Sequence, residues 1–259
     1  MQILRPADLT ASRRPAAAGQ TGARRPAPRF LALASLTAFF LLFGPTALTV
    51  SADEAAAGHG PRNPHTSASA LQELQAGNER FATGRSVHPR QEKPRLSRLA
   101  AEGQTPLAAV LACSDSRAPV EAVFDQGFGD LFVVRAAGAV PGVDQLGSLE
   151  YAAAHLGVPL IVVLSHTKCG AVTAAVTGAQ EPGALGELLT KLSPAAAAVR
   201  NDGDAAAQIE KAVIVSAALF ARRLTEASPA LAEAVEAGRL QIKAAVYDLD
   251  AGRVTFAAE

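Results

Sequence analysis

The sequence predicts an α/β domain: a mostly parallel β-sheet flanked by helices, with a helical arm before it and edge strands after it. Three observations lead there. The apolar runs LAAVLA (107–112), LFVV (131–134) and PLIVVL (159–164) carry polar groups only at their ends, as strands buried on both faces do. Strand runs that alternate with helical patterns imply right-handed crossovers and a sheet clad in helices. The chain closes with QIKAAVYDL, a turn signal in DAGR, and VTF, the pattern of a hairpin or edge strands.

Taken in order, residues 1–52 read as a signal peptide. They hold six arginines against one acid, Asp8, and the uncharged stretch from Phe30 to Ala52 is centred on LALASLTAFFLLFG. Val50-Ser51-Ala52 forms a small-residue cleavage signal, so cleavage is expected after Ala52. Gly44 and Pro45 interrupt the apolar run, which suits a removable leader better than a permanent span of about 20 residues. The expectation is therefore an exported protein, periplasmic or secreted, with no stable membrane span after cleavage. Residues 53–66, with Gly58, Gly60, Pro61 and Pro64, read as a flexible linker, and 67–259 as a single domain.

Within that domain, Ala70 to Phe81 places Leu71, Leu74, Asn78 and Phe81 on one side at helical spacing, before Gly84. GSLEYAAAHLG is a helical pattern with Gly157 at its close. Ala205 to Glu226 and Pro229 to Ala237 read as further helices. From residue 53 onward 18 Lys and Arg face 23 Asp and Glu, a surface with no electrostatic footprint for nucleic acid.

The chemistry gathers where strands end. Ligands in open parallel sheets collect beyond the carboxyl ends of the strands. Cys113 follows LAAVLA there, and SHTKC follows PLIVVL in the same way. In an extended segment Cys113, Asp115 and Arg117 share a face. If Ser165 caps a helix, His166 and Cys169 lie on one side of its first turn. A disulfide, a pair of inert core thiols or a Cys–His nucleophile are the other readings of the two cysteines, but none of these uses Asp115, Arg117 and His166 as well.

Two thiolates and one imidazole make a three-ligand zinc set, and a structural site would demand a fourth protein ligand. No third cysteine exists, and His59, His65, His88 and His155 are badly placed, so water is the expected fourth ligand. Zinc lowers the pKa of bound water from about 15.7 to about 7, roughly 12 kcal/mol. Asp115 is itself a competent ligand for the open position, and Arg117 can hold it in a bidentate fork, keeping it ionised and turned toward that water.

These residues stand in blocks that resemble the β-class carbonic anhydrases over about residues 68–257: QTPLAAVLACSDSRAP, VFDQGFGDLFVVRAAG, SLEYAAAHLG, SHTKCGAV and VYDLDAGRVTF. The resemblance implies a β-carbonic anhydrase-like fold and an enzyme with one Zn2+ per chain. Its zinc-bound hydroxide would attack carbon dioxide to give bicarbonate and a proton. It further implies a homodimer or a dimer of dimers. By position it implies Cys113, His166 and Cys169 as metal ligands and Asp115 with Arg117 as a gating dyad. It implies Gln104 as a hydrogen-bonding partner of substrate, Phe132 and Tyr151 as cleft-lining aromatics at the subunit interface, and Gly170 as a turn whose N–H faces the site. Two positions depart from the family pattern. Many relatives read R-x-A-G-N where this chain has Arg135-Ala136-Ala137-Gly138-Ala139, and many have glycine at Ser165. Within the same fold, hydrolysis of carbonyl sulfide or carbon disulfide, or an inactive zinc- and bicarbonate-binding module, are the alternatives.

Overall fold

The computed structural model describes residues 63–257. The expected leader and residues 53–62 of the expected linker lie outside them. The described chain runs α1 (Ser67–Ala82), α2 (Lys93–Glu102), β1 (Ala108–Cys113), α3 (Val120–Val123), β2 (Leu131–Ala136), a 3-10 turn (Ala137–Ala139) and α4 (Val143–His155). It continues through β3 (Leu160–His166), α5 (Gly170–Val176), α6 (Gly183–Ala198), α7 (Ala205–Ala227), α8 (Pro229–Glu236), β4 (Gln241–Tyr247) and β5 (Val254–Phe256).

The five strands lie in the order β2-β1-β3-β4-β5, parallel except for β5, which pairs antiparallel with β4. The expected closing hairpin is thus present. Every residue of β1 and β3 is buried, because helices cover both faces and alternation sends neighbouring side chains into different cores. Ala109, Leu111, Ile161 and Val163 meet residues of α4 to α8 on one face. Ala108, Val110, Leu160 and Val162 meet residues of α1 and α3 on the other. The order also places a switch point between β1 and β3: the chain passes from β1 to β2 on one side and returns to β3 on the other, which opens a crevice at the carboxyl ends.

Element boundaries differ from the sequence reading for identifiable reasons. Helix α1 starts one turn early because Thr66 caps it in a reciprocal capping box with Ser69. Strands β1 and β3 extend past their apolar runs, because backbone pairing rather than hydropathy ends them. Cys113 is in register with Ala136, and His166 with Tyr247. Ser165 is therefore a strand residue and caps no helix, which corrects the expected arrangement of SHTKC. Gly157 closes α4 as expected, at φ +63°. Among the described residues no helix is long and apolar enough to cross a membrane.

Helix α1 is fastened to the sheet domain through polar side chains the sequence places among apolar ones. Asn78 is buried and satisfied on three sides: its amide donates to Val123 O and Gly252 O (3.0 Å each), and its oxygen accepts from Val254 N (2.8 Å). At Gly77 a Cβ would lie 1.9 Å from Phe124 O, so only glycine lets α1 approach this closely. Beyond the helix, the buried carboxylate of Asp125 accepts from Arg80 Nε (2.6 Å) and from the amides of Val87 and His88 (3.1 and 2.9 Å). Burial opposes its ionisation, but Arg80 and the two amides outweigh burial and hold its pKa below the usual carboxylate value.

A depressed carboxylate pKa contributes stability that is present above the unfolded value near 3.9 and lost as the pH falls through the folded value. Asp125→Asn is accordingly expected to lower unfolding free energy by about 1–3 kcal/mol at pH 7. The gap from the parent should close below about pH 4. Urea titrations of both proteins across that range measure it.

Candidate metal centre

Beyond Cys113 the chain leaves the sheet and turns, with Ala118 N–H donating to Asp115 O (3.1 Å). Asp115 and Arg117 therefore meet through an aspartate turn and not by strand alternation, which corrects the expected extended segment. The Arg117 amide donates to Asp115 Oδ1 (2.9 Å), its Nε to the same oxygen (3.0 Å), and its Nη2 to Oδ2 (2.7 Å). The fork is bidentate, as expected. It pulls the Asp115 pKa down, with burial opposing and the Arg117 amide and His166 assisting. Arg117 also donates to Lys168 O (3.2 Å), linking this turn to the other half of the site.

That other half begins with His166, the last residue of β3, and ends with Cys169, the N-cap of α5. Thr167 N–H still bonds Tyr247 O (2.9 Å), so the chain stays extended until Lys168, at φ +57°, turns it into the helix. His166 and Cys169 thus converge across a strand-to-helix corner rather than along one helical turn. Cys113 Sγ and Cys169 Sγ are 4.0 Å apart, both free, and the ligand atoms of Cys113, His166 and Cys169 all lie within 4.8 Å of one another. These three are the potential metal-holding group found among the described residues.

The donors fit a metal. His166 is buried, and its Nδ1 lies 2.9 Å from Thr167 O, which fixes the tautomer with Nδ1 protonated. Its Nε2 is buried and has no hydrogen-bond partner among the described residues. An orphaned ring nitrogen beside two sulfurs is costly unless a cation takes its lone pair. Two thiolates on one tetrahedral zinc, at Zn–S distances of about 2.3 Å, stand about 3.8 Å apart, close to the separation here. Among the described residues no fourth donor joins them, although Asp115 Oδ2 lies 3.8 Å from His166 Nε2.

The environment favours the thiolate at one of the two sulfurs. Cys113 accepts N–H bonds from Gly138 (3.2 Å) and Asp115 (3.4 Å). The Cys169 thiol, His166 and these amides push its pKa down against the effect of burial. Cys169 goes the other way, raised by holding its proton toward the Cys113 thiolate and by burial. For His166, burial disfavours the imidazolium, but Cys113, Thr167 O and Asp115 together raise its pKa.

The two departures from the family pattern leave this geometry standing. Ser165 directs its hydroxyl toward Ser216 of α7 (3.4 Å). Ala139 is fully buried at φ +55°, where an L-residue carries roughly 1–2 kcal/mol of strain. The turn nevertheless brings Gly138 N–H onto Cys113 Sγ.

Of the other residues singled out, Gly170 is the first residue of α5 beside Cys169, with open space where a Cβ would stand. Gln104, Phe132 and Tyr151 are placed elsewhere. Gln104 is exposed in the segment before β1, a strand that spans about 16 Å from Ala108 to Cys113. Phe132 lies four residues, about 13 Å, before Ala136, the partner of Cys113. Tyr151 sits on α4, 6.2 Å from the Phe132 ring and stacked on His155 at 5.2 Å. Sequence reasoning missed Thr167 O, the Gly138 N–H and Arg135, whose guanidinium binds Cys113 O and Asp115 O. Of these, only Arg135 had a signal: it is the polar residue directly after the buried run LFVV.

Fold and donor set together define a mostly parallel α/β protein with a buried two-thiol, one-imidazole group, able to hold a metal, at its switch point. Known proteins agree. A family model described as carbonic anhydrase matches residues 108–254. Carbonic anhydrase 2 of Mycobacterium tuberculosis is 42% identical over 187 residues, covering 70% of this chain and 87% of that protein. The carbonic anhydrase of Mycolicibacterium smegmatis is 39% identical over 185 residues, with 70% and 88% covered. The crystal structure of the β-carbonic anhydrase CafA of Aspergillus fumigatus superposes with a TM-score of 0.60 at 26% identity, over 73% of this chain and 92% of that one. The chain belongs to the carbonic anhydrase family, in its β-class.

Proposed function

We propose that this protein interconverts carbon dioxide and bicarbonate, with one zinc ion held by Cys113, His166 and Cys169. The observation that carries the reading is the orphaned, buried Nε2 of His166 facing two free thiols beside the Asp115–Arg117 fork. Zinc, when bound, supplies the acidity that makes a water molecule nucleophilic at neutral pH.

The chain's own residues do the rest. Asp115, kept ionised by Arg117, is acceptor-only, so its Oδ2 takes the water's proton in a hydrogen bond and leaves a lone pair free for carbon dioxide. The fork on both carboxylate oxygens also restrains Asp115 from occupying the open ligand position itself. The open space at Gly170 leaves room for a small substrate beside Cys169. The proton released on hydration passes to solvent or buffer.

Gln104, Phe132 and Tyr151 fit this scheme if they serve the site of a second copy, because in one chain they stand a strand's length from the ligands. The outer face of α4 supports such a dimer. Val143 and Tyr151 are 82% and 49% exposed, and Gly147 lies between them at four-residue spacing with nothing within 4 Å of a Cβ there. A glycine in a helix interior costs about 1 kcal/mol relative to alanine, a cost that close approach by another backbone would explain. Export, with removal of the leader after Ala52, belongs to the same proposal and rests on the sequence of residues 1–52 alone.

Stopped-flow hydration of carbon dioxide by zinc-loaded protein should show turnover, and Cys169→Ser should lose both stoichiometric zinc and at least about 100-fold of activity. Equal activity in that variant would refute the reading. Sedimentation should find a dimer or a larger assembly, and Gly147→Leu, harmless to a lone chain, should shift it toward monomer and lower turnover. N-terminal sequencing of protein recovered outside the cytoplasm should begin at Asp53.

A further inference from the structure

We infer that Arg135 is a positioning residue for the metal centre, holding the ligand Cys113 and the gate Asp115 at a fixed spacing through their backbone carbonyls. The inference rests on the metal reading above and adds to it a residue that touches neither metal nor substrate.

The argument begins with where the sheet stops. The register of β1 with β3 ends at Ala112 opposite Leu164, and that with β2 ends at Cys113 opposite Ala136. Ser114 N–H still donates to Ala136 O (3.1 Å), and β2 then folds away into the turn at Ala137–Ala139. From Ser114 onward the ladder no longer dictates the path of the backbone. Yet this stretch must present a thiolate and a carboxylate, two residues apart, to one point.

Arg135 acts at that place. Its Nε donates to Cys113 O (2.9 Å) and its Nη2 to Asp115 O (2.6 Å). The two carbonyls flank Ser114, and the planar guanidinium fork bridges them as a rigid spacer, which a flexible ammonium does not reproduce. Asp115 O also accepts Ala118 N–H, so the same carbonyl anchors the turn in which Arg117 meets the Asp115 carboxylate. Asp115 is thus held at both ends by arginines: Arg117 grips the carboxylate and Arg135 the main chain.

The same strand end tunes the sulfur. Gly138, three residues after Arg135, donates its N–H to Cys113 Sγ, as does Asp115. Displacing the Cys113–Asp115 backbone would lengthen both contacts. Outer partners of metal ligands matter at this scale: their loss typically costs 10–100-fold in metal affinity or activity.

The test uses full-length, metal-loaded protein and compares Arg135→Ala and Arg135→Lys with the parent, and with Arg239→Ala, which removes an exposed ion pair to Glu233 just before β4, at the amino end of the strands and opposite the site. Zinc affinity is read by competition with a chelator, and ligand geometry by the visible spectrum of the cobalt(II)-substituted protein. Arg135→Ala is expected to lose about 10–100-fold in zinc affinity or kcat and to alter the cobalt spectrum. Arg135→Lys, able to reach one carbonyl, should recover part of the loss, and Arg239→Ala should leave affinity and spectrum unchanged. If Arg135→Ala fails to fold, the lysine variant carries the comparison through its spectrum. Parental affinity, kcat and spectrum in the Arg135 variants would overturn the inference while leaving the metal reading intact. A parent protein that binds no stoichiometric metal would overturn both.

Discussion

A buried imidazole nitrogen without a partner, next to two buried sulfurs, is the constraint from which the other features of this protein follow. Such a cluster is unfavourable by itself: an orphaned lone pair and a thiolate each lose hydration on burial. The fold tolerates it because each donor is attached to something that does not move for it. Cys113 and His166 end strands whose residues are all buried, and Cys169 caps the helix that follows. Amides of Gly138 and Asp115 partly satisfy the Cys113 sulfur, and Thr167 O sets the tautomer that aims Nε2 at the sulfurs. A divalent cation would resolve what remains.

The polar shell around the cluster divides its labour. Arg117 keeps Asp115 ionised and tethered, and Arg135 holds the main chain on either side of Ser114. The carboxylate therefore stands near the ligands without being one of them. Lys168 ties the second half of the site outward, with its ammonium on Asp250 (2.6 and 2.7 Å) and its carbonyl on Arg117. Exposed ion pairs of this kind contribute little stability each, so their value here lies in orientation. Anchors farther away, at Asn78 and Asp125, fasten α1 and the segment after it to the sheet without touching the site.

Much of this was legible in the linear chain, and the exceptions are instructive. The runs LAAVLA, LFVV and PLIVVL read as buried strands because fully covered parallel strands need continuous apolar sequence, and the helices α4, α7 and α8 showed their period. Ser165 reads as a possible cap because serine is a favoured helix N-cap, and only its pairing with Val246 of β4 shows that the strand runs through it. Asp115 and Arg117 were placed on one face by alternation, whereas a local aspartate turn brings them together. Gln104, Phe132 and Tyr151 come to the site by resemblance alone, and in a single chain Phe132 lies four residues before Ala136, the partner of Cys113.

By itself the sequence determined the fold class, the three donor residues and the carboxylate–guanidinium pair, since these rest on residue type, hydrophobic pattern and spacing, all of them local. Only the tertiary structure decided the strand order, and with it the switch point where β1 and β3 bring ligands 53 and 56 residues apart into contact. It alone revealed that Ser165 faces α7, that Nε2 is the free nitrogen of His166, and that Arg135 grips the carbonyls of Cys113 and Asp115. These are long-range relations among strands, and no local pattern encodes which neighbour a strand will choose.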